Sequence, residues 1–172
     1  MNSKKIVRLI IDIIIITALI ALDQFTKYMA VLNLKDKPAY NIITNVFELR
    51  YLENRGAAFG MLQNQKTFFV AIACIMLVVV FYILVKVPDT SKYLLIKACM
   101  IMIGAGAVGN LIDRVNYDYV VDFFYFVLIN FPIFNVADIY VSVSCFVLIV
   151  AILFVYKDAD LTFLRLKKNG TV

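Results

Sequence analysis

The sequence predicts an all-α integral membrane protein, a four-transmembrane-helix bundle with strand character in its first loop. Three observations predict it. Of 172 residues, 63% are apolar and only 17% charged, and a mean hydropathy of +0.90 describes a chain that could not stay soluble as a monomer. Four apolar runs, the first of them extended by its flanking residues, supply the roughly 20 residues that a helical crossing requires. Asp113, Asp122 and Asp138, three of the few acids in this apolar sequence, fall at one end of the runs by helix parity.

The first run, Leu9 to Leu22, follows Lys4, Lys5 and Arg8. It has a basic front like a secretory signal but no small-x-small cleavage site, so it reads as a retained helix crossing over about 9–28. Asp12 within it is expected to face a neighbour or the interface. The second run, Phe68 to Val85 (crossing 67–86), ends in Lys86, Pro88, Asp89 and Lys92. That short polar turn sends the chain straight back as the third run, Tyr93 to Ile112 (crossing 93–113), with Lys97 free to snorkel. The fourth run, Val136 to Tyr156 (crossing 136–156), precedes Lys157, Arg165, Lys167 and Lys168. The whole chain reads as a single domain.

Four crossings place both termini on one side, and the basic residues at the ends and in the second loop argue for the cytoplasm. The first loop weakens that argument with Lys35, Lys37, Arg50, Arg55 and Lys66. Parity holds in either orientation: the first and third loops emerge together, so Asp23, Asn54, Asp113, Asp122 and Asp138 can converge. In the first loop Phe47, Leu49 and Tyr51 alternate with Glu48 and Arg50, the period of a strand with one apolar face. The turn from Asn54 through Gly56 to Gly60 allows close backbone approach. Gly104, Ala105, Gly106, Ala107 and Gly109 suit tight helix contact in lipid.

The net charge of +5 comes from basic residues spread over both ends and the loops, which fits anionic lipid headgroups and not nucleic acid. Cys74, Cys99 and Cys145 lie in apolar runs without Cys-x-x-Cys spacing and read as small core residues. There is no histidine, which removes the usual base for a serine or cysteine nucleophile and the commonest ligand of catalytic zinc. Hydrolytic chemistry would have to come from carboxylates or lysine.

Asp122 in Val-Val-Asp-Phe-Phe-Tyr-Phe and Asp138 in Phe-Asn-Val-Ala-Asp sit in sequence suited to a lipid boundary, where an unpaired carboxylate is costly. Two such groups close together would share one proton, as in aspartic proteases, and hydrolyse a peptide without metal or cofactor. Asn135 and Asp138 share a helix face, as do Asn110 and Asp113 or Arg114. A plainer reading stays open at this point. Asp122 pairs with Arg114, Asp138 serves the helix dipole, Asp113–Arg114 and Asp23–Lys27 are structural ion pairs, and Asn54, Asn110 and Asn135 are turn and cap residues. A proton relay would spread its acids through the membrane depth, whereas these cluster at one end. Phe123, Phe124, Tyr125 and Phe126 suit a movable flap at the interface.

Taken in order, Leu-Asp-Gln-Phe-Thr-Lys at 22–27, Asn-Arg-Gly-Ala-Ala-Phe-Gly at 54–60, Gly-Asn-Leu-Ile-Asp-Arg at 109–114, Val-Val-Asp-Phe at 120–123 and Phe-Asn-Val-Ala-Asp at 134–138 resemble the bacterial lipoprotein signal peptidases, or signal peptidase II. The resemblance spans essentially the whole chain. It implies a multi-pass, monomeric aspartic endopeptidase of the bacterial cytoplasmic membrane, with termini in the cytoplasm and its site near the outer leaflet. Such an enzyme cuts diacylglyceryl-modified prolipoproteins just before the lipid-bearing cysteine and is inhibited by cyclic peptides such as globomycin. Asp122 and Asp138 match the catalytic pair. Asp23, Lys27, Asn54, Gly56, Asn110, Asp113, Arg114 and Asn135 match residues that support the site or hold substrate. The first loop is expected to form a small extracytoplasmic sheet that cradles substrate, with the flap in the third loop.

Overall fold

The computed structural model describes residues 3–57 and 61–164. Ala58, Phe59 and Gly60 of the glycine-rich turn, and Arg165, Lys167 and Lys168 of the basic tail, lie outside the described residues. The first helix, α1 (Ser3–Leu34), runs well past the expected end near residue 28. Its polar residues do not break it, because Asp23 and Lys27 are buried one turn apart and pair with each other at 2.8 Å. The helix gives way to a turn where Asp36 takes a left-handed φ of 58°.

Strands β1 (Tyr40–Ile43) and β2 (Phe47–Asn54) form an antiparallel hairpin around Asn45, whose φ of 59° is one that asparagine tolerates. The expected strand over 47–51 is therefore present. Its periodicity is less simple than the sequence suggests, since Glu48 is buried and meets Arg50 at 2.7 Å.

A third strand, β3 (Val120–Phe126), pairs antiparallel with β2, so the sheet order is β1-β2-β3 and Leu52 faces Asp122 in the register. The sheet is thus built from both the first and the third loop. The segment expected as a flap forms this third strand. Phe124, Tyr125 and Phe126 pair with β2 on one edge, and Phe124 exchanges backbone hydrogen bonds with Phe134 on the other. Pairing of apolar, aromatic residues across the edge satisfies backbone groups that a free flap would leave open.

Helices α2 (Lys66–Lys86), α3 (Leu94–Tyr117, preceded by a 3₁₀ turn at Ser91–Tyr93) and α4 (Val136–Phe154) follow. Among the described residues, three helical segments are long and apolar enough to cross a membrane: Lys66–Lys86, Ser91–Tyr117 and Val136–Phe154. The α3 helix is the central one. Its small residues do what the sequence predicts: a Cβ at Gly106 would sit 2.5 Å from the Ala137 carbonyl oxygen, and one at Gly109 2.5 Å from Asp23 Oδ2. These contacts draw α4 and α1 against α3 at the level of the polar cluster.

Of the cysteines only Cys99 is buried; Cys74 and Cys145 are exposed. The core reading fails for those two because they lie on the outward faces of α2 and α4, beside exposed Ile75, Val78 and Phe146. At the opposite end of the bundle, Arg8 donates to the carbonyls of Leu84 (3.0 Å) and Val87 (3.1 Å), closing the C-terminus of α2. Lys97 meets buried Asp12 at 2.8 Å.

Candidate active site

The N-terminus of α4 is a capping box. The Asn135 side-chain oxygen accepts from the Asp138 N–H at 3.0 Å, and Asp138 Oδ2 accepts from the Asn135 N–H at 3.1 Å. Reciprocal capping fixes the third helical residue as firmly as the cap itself. The Asp138 carboxylate is thereby held at the helix start, where the partial positive charge of free N–H groups favours an anion. The cap reading of Asn135 is borne out, and the same residue reaches further. Its amide nitrogen donates to Asp122 Oδ1 at 2.6 Å and to Asn110 Oδ1 at 3.1 Å.

Asp122 is 1% exposed on β3. Its other oxygen accepts from Asn54 Nδ2 at 2.8 Å. Asn54 ends β2 and its own oxygen accepts from the Gly56 N–H at 2.9 Å, a local turn that leaves its amide nitrogen aimed at Asp122. Asn110, on α3, donates to Asp138 Oδ1 at 2.8 Å while its oxygen accepts from Lys27 Nζ at 2.9 Å. Each of the four aspartate oxygens therefore accepts one fixed N–H.

Asp122 and Asp138 both line a cavity of about 270 Å³ with Asn54, Gly56, Arg114 and Phe134. On its other side, Asp138 and Arg114 border a second cavity of about 200 Å³, walled by Phe69, Ile72 and Met76 of α2. Burial, and next the charge of Asp138, push the Asp122 carboxyl up to about 7, as expected for acids that cannot both ionise comfortably in one dry site. Arg114 does not pair with Asp122. Its guanidinium donates to the carbonyls of Asn110 and Gly56, each at 3.5 Å, and stacks 4.6 Å from the Phe69 ring centre.

Behind the two aspartates lies a buried cluster. Lys27 Nζ sits 2.8 Å from Asp23 and 3.0 Å from Asp113. The predicted Asp23–Lys27 pair is present, whereas Asp113 pairs with Lys27 and not with its neighbour Arg114. Consecutive residues on a helix point in different directions, and Arg114 faces the cavity. The structure thus brings together every residue that the sequence singled out for the site.

One residue was missed. Gln24 donates to Asp113 Oδ1 at 2.9 Å and to the Gly109 carbonyl at 3.1 Å, closing the cluster. The signal was available, as a third polar side chain beside Asp23 and Lys27 in an apolar helix.

The family model described as "Signal peptidase (SPase) II" matches residues 15–154. A lipoprotein signal peptidase of Caldanaerobacter subterraneus subsp. tengcongensis is 46% identical over 137 residues, covering 79% of this chain and 91% of that protein. One of Clostridioides difficile is 44% identical over 143 residues, covering 83% and 94%. A lipoprotein signal peptidase of Enterococcus faecalis is 37% identical over 163 residues, covering 95% and 97%. A solved structure described as "Bacterial membrane enzyme structure by the in meso method at 2.3 A resolution" superposes with a TM-score of 0.75 at 32% identity, over 94% of this chain and 93% of that one. With the family model spanning most of the sequence and these relatives aligned over 79% to 95% of it, the chain belongs to the signal peptidase II family.

Proposed function

We propose that the chain is an aspartic endopeptidase that removes the signal peptide from diacylglyceryl-modified prolipoproteins, cutting just before the lipidated cysteine, with Asp122 and Asp138 as the catalytic pair. One observation carries the reading: a single residue, Asn135, donates to both carboxylates, at 2.6 Å and 3.1 Å, where both line one cavity. Near neutrality the pair holds one proton between its two acids. The ionised acid takes a proton from water as the water oxygen attacks the scissile carbonyl carbon, and the protonated acid gives its proton to the carbonyl oxygen. The resulting diol collapses as the C–N bond breaks. The first acid returns its proton to the leaving nitrogen, a diol hydroxyl returns one to the second acid, and the pair is restored.

The four amide and backbone N–H groups hold the carboxylates without offering them a competing acceptor, so the proton stays available for the reaction. Arg114 and Asn54 face the cavity, which supports a role for them in holding the peptide backbone.

In this reading α1 is a fourth crossing, supported by its exposed Ile10, Ile13 and Ile14. Both termini are then cytoplasmic and the site lies near the outer leaflet, where the acyl chains remain in lipid while the peptide reaches water. The sheet rests on the membrane surface as a cradle, the enzyme acts as a monomer, and globomycin-type cyclic peptides compete for the cavity.

The test is incubation of detergent-purified protein with a lipid-modified precursor and its unlipidated twin, alongside Asp122→Asn and Asp138→Asn. Cleavage of the lipidated precursor alone, lost in both variants, is expected. Full activity in either variant would remove the aspartic mechanism.

A further inference from the structure

The buried Asp23–Lys27–Asp113 cluster touches no cavity-facing atom of the catalytic pair, yet its hydrogen bonds end in a pattern. Asp23 Oδ1 accepts the backbone N–H of Ala137 at 2.9 Å, the residue immediately before Asp138. Asp113 Oδ2 accepts the backbone N–H of Val121 at 3.2 Å, the residue immediately before Asp122. The two acids of the cluster therefore grip the chain one residue upstream of each catalytic aspartate, on α4 and β3, two elements that the Asn135 bond to Asp122 also ties together. Between them Lys27 Nζ reaches both carboxylates and also donates to Asn110 Oδ1 at 2.9 Å.

That third bond, with a second donor from Asn135 Nδ2 at 3.1 Å to the same oxygen, fixes the orientation of an amide. An asparagine side chain can be rotated to exchange its oxygen and nitrogen, and only one orientation gives Asp138 a donor. With an ammonium against one end, the oxygen must face Lys27 and the nitrogen must face Asp138, as observed at 2.8 Å.

The geometry points to Lys27 as a positioning residue for peptide cleavage: the hub of a buried Asp–Lys–Asp clamp that sets the separation of the catalytic pair and locks the Asn110 amide toward Asp138. The inference rests on the aspartic reading above. It separates Lys27 from an ordinary buried counter-charge, which would be replaceable by removing the charges it balances. Its ammonium is 2.9 Å from Asn110, and no other cationic group among the described residues donates to that oxygen.

The test uses the full chain in detergent with the lipidated precursor. Lys27→Met removes the donor at nearly constant volume. The triple variant Asp23→Asn, Lys27→Met, Asp113→Asn removes all three charges but keeps an oxygen for the Ala137 and Val121 N–H groups. Both are expected to lose turnover by about 100-fold, the usual effect of removing one preorganised donor, with KM for the precursor within about twofold. The triple variant should regain the melting temperature of the parent without regaining its kcat.

Recovery of kcat in the triple variant would reduce Lys27 to a counter-charge and overturn the inference. So would full turnover in Lys27→Met, or failure of the triple variant to fold, which would make the cluster part of the core and nothing more. Asp122→Asn run in parallel separates the two readings. If that variant cleaves normally, the aspartic mechanism itself falls; if it is inactive while the Lys27 variants work, only the clamp falls.

Discussion

The amide nitrogen of Asn135 lies 2.6 Å from Asp122 Oδ1, so the residue that starts α4 also supports the carboxylate carried by β3. Helix capping and site geometry are one arrangement here. Asn135→Ala removes the cap and the donor together. The cap alone is worth about 1 kcal/mol, and loss of the donor should lower kcat by about 100-fold. Asn135→Ser keeps a capping oxygen but cannot reach Asp122, so it should restore the melting temperature and not the turnover. Thermal melts and initial rates on the two variants separate the effects; restored turnover in Asn135→Ser would show that the cap is all that matters.

Asp122 gives a pH dependence with a definite sign. Its carboxyl stands near 7, against an ordinary value of 3.8, so the folded protein binds more proton than the unfolded chain between those values. The associated stability is fully present below about pH 4 and is lost as pH rises through about 7. Asp122→Asn should flatten that decline, measured as melting temperature at pH 5 and pH 8. Cleavage should also fall as pH rises above neutrality, when the pair loses its shared proton. A rate that continues to climb to pH 9 would contradict a shared-proton pair.

Much of this was legible in the sequence, for physical reasons that can be named. Two acids close together in apolar sequence point to a candidate site, where a lone one, Asp12, only finds a structural partner. Helix parity was enough to bring Asn54, Asn110 and Asp113 toward Asp122 and Asp138. The sheet was only half visible. Phe47 to Tyr51 showed the period of a strand, but Val120–Phe126 is apolar on both faces and lacks alternation, so its pairing with β2 depends on a partner more than sixty residues away. Partner choice was the other gap. Sequence neighbours suggested Asp113 with Arg114, and the fold instead offers Asp113 to Lys27 on another helix.

Gly109 lies where α1 and α3 meet behind the site, and a Cβ there would be 2.5 Å from Asp23 Oδ2 and 3.2 Å from its Cγ. Both atoms belong to a side chain that is fully buried, so Asp23 cannot swing clear. Gly109→Ala should displace it from the Ala137 N–H and cost about 1–3 kcal/mol of stability, as overpacking usually does. Because that N–H precedes Asp138, turnover should fall more than the melting temperature suggests. Gly104→Ala is the control, since its Cβ meets only Val80 Cγ1 at 3.2 Å and Ile16 Cδ1 at 4.0 Å, apolar tips distant from the site. Equal losses of turnover in the two variants would argue against transmission through Asp23.

The Asp12–Lys97 pair separates stability from catalysis at the other end of the bundle. Asp12 is 1% exposed, and the ammonium of Lys97 meets it at 2.8 Å, so Lys97→Met strands a carboxylate in an apolar setting. Breaking a buried pair from one side costs about 3–5 kcal/mol, whereas replacing both partners with apolar groups is often neutral. Lys97→Met should therefore lower the melting temperature sharply, and Asp12→Leu with Lys97→Met should recover most of the loss. Asp12 precedes Asp23 by three turns of α1, so neither change reaches the clamp around Lys27. Cleavage per folded molecule should stay within about twofold of the parent in both variants, the range expected when no transition-state contact is lost. A fall in kcat that persists in the stable double variant would show that this inner pair is coupled to the site after all.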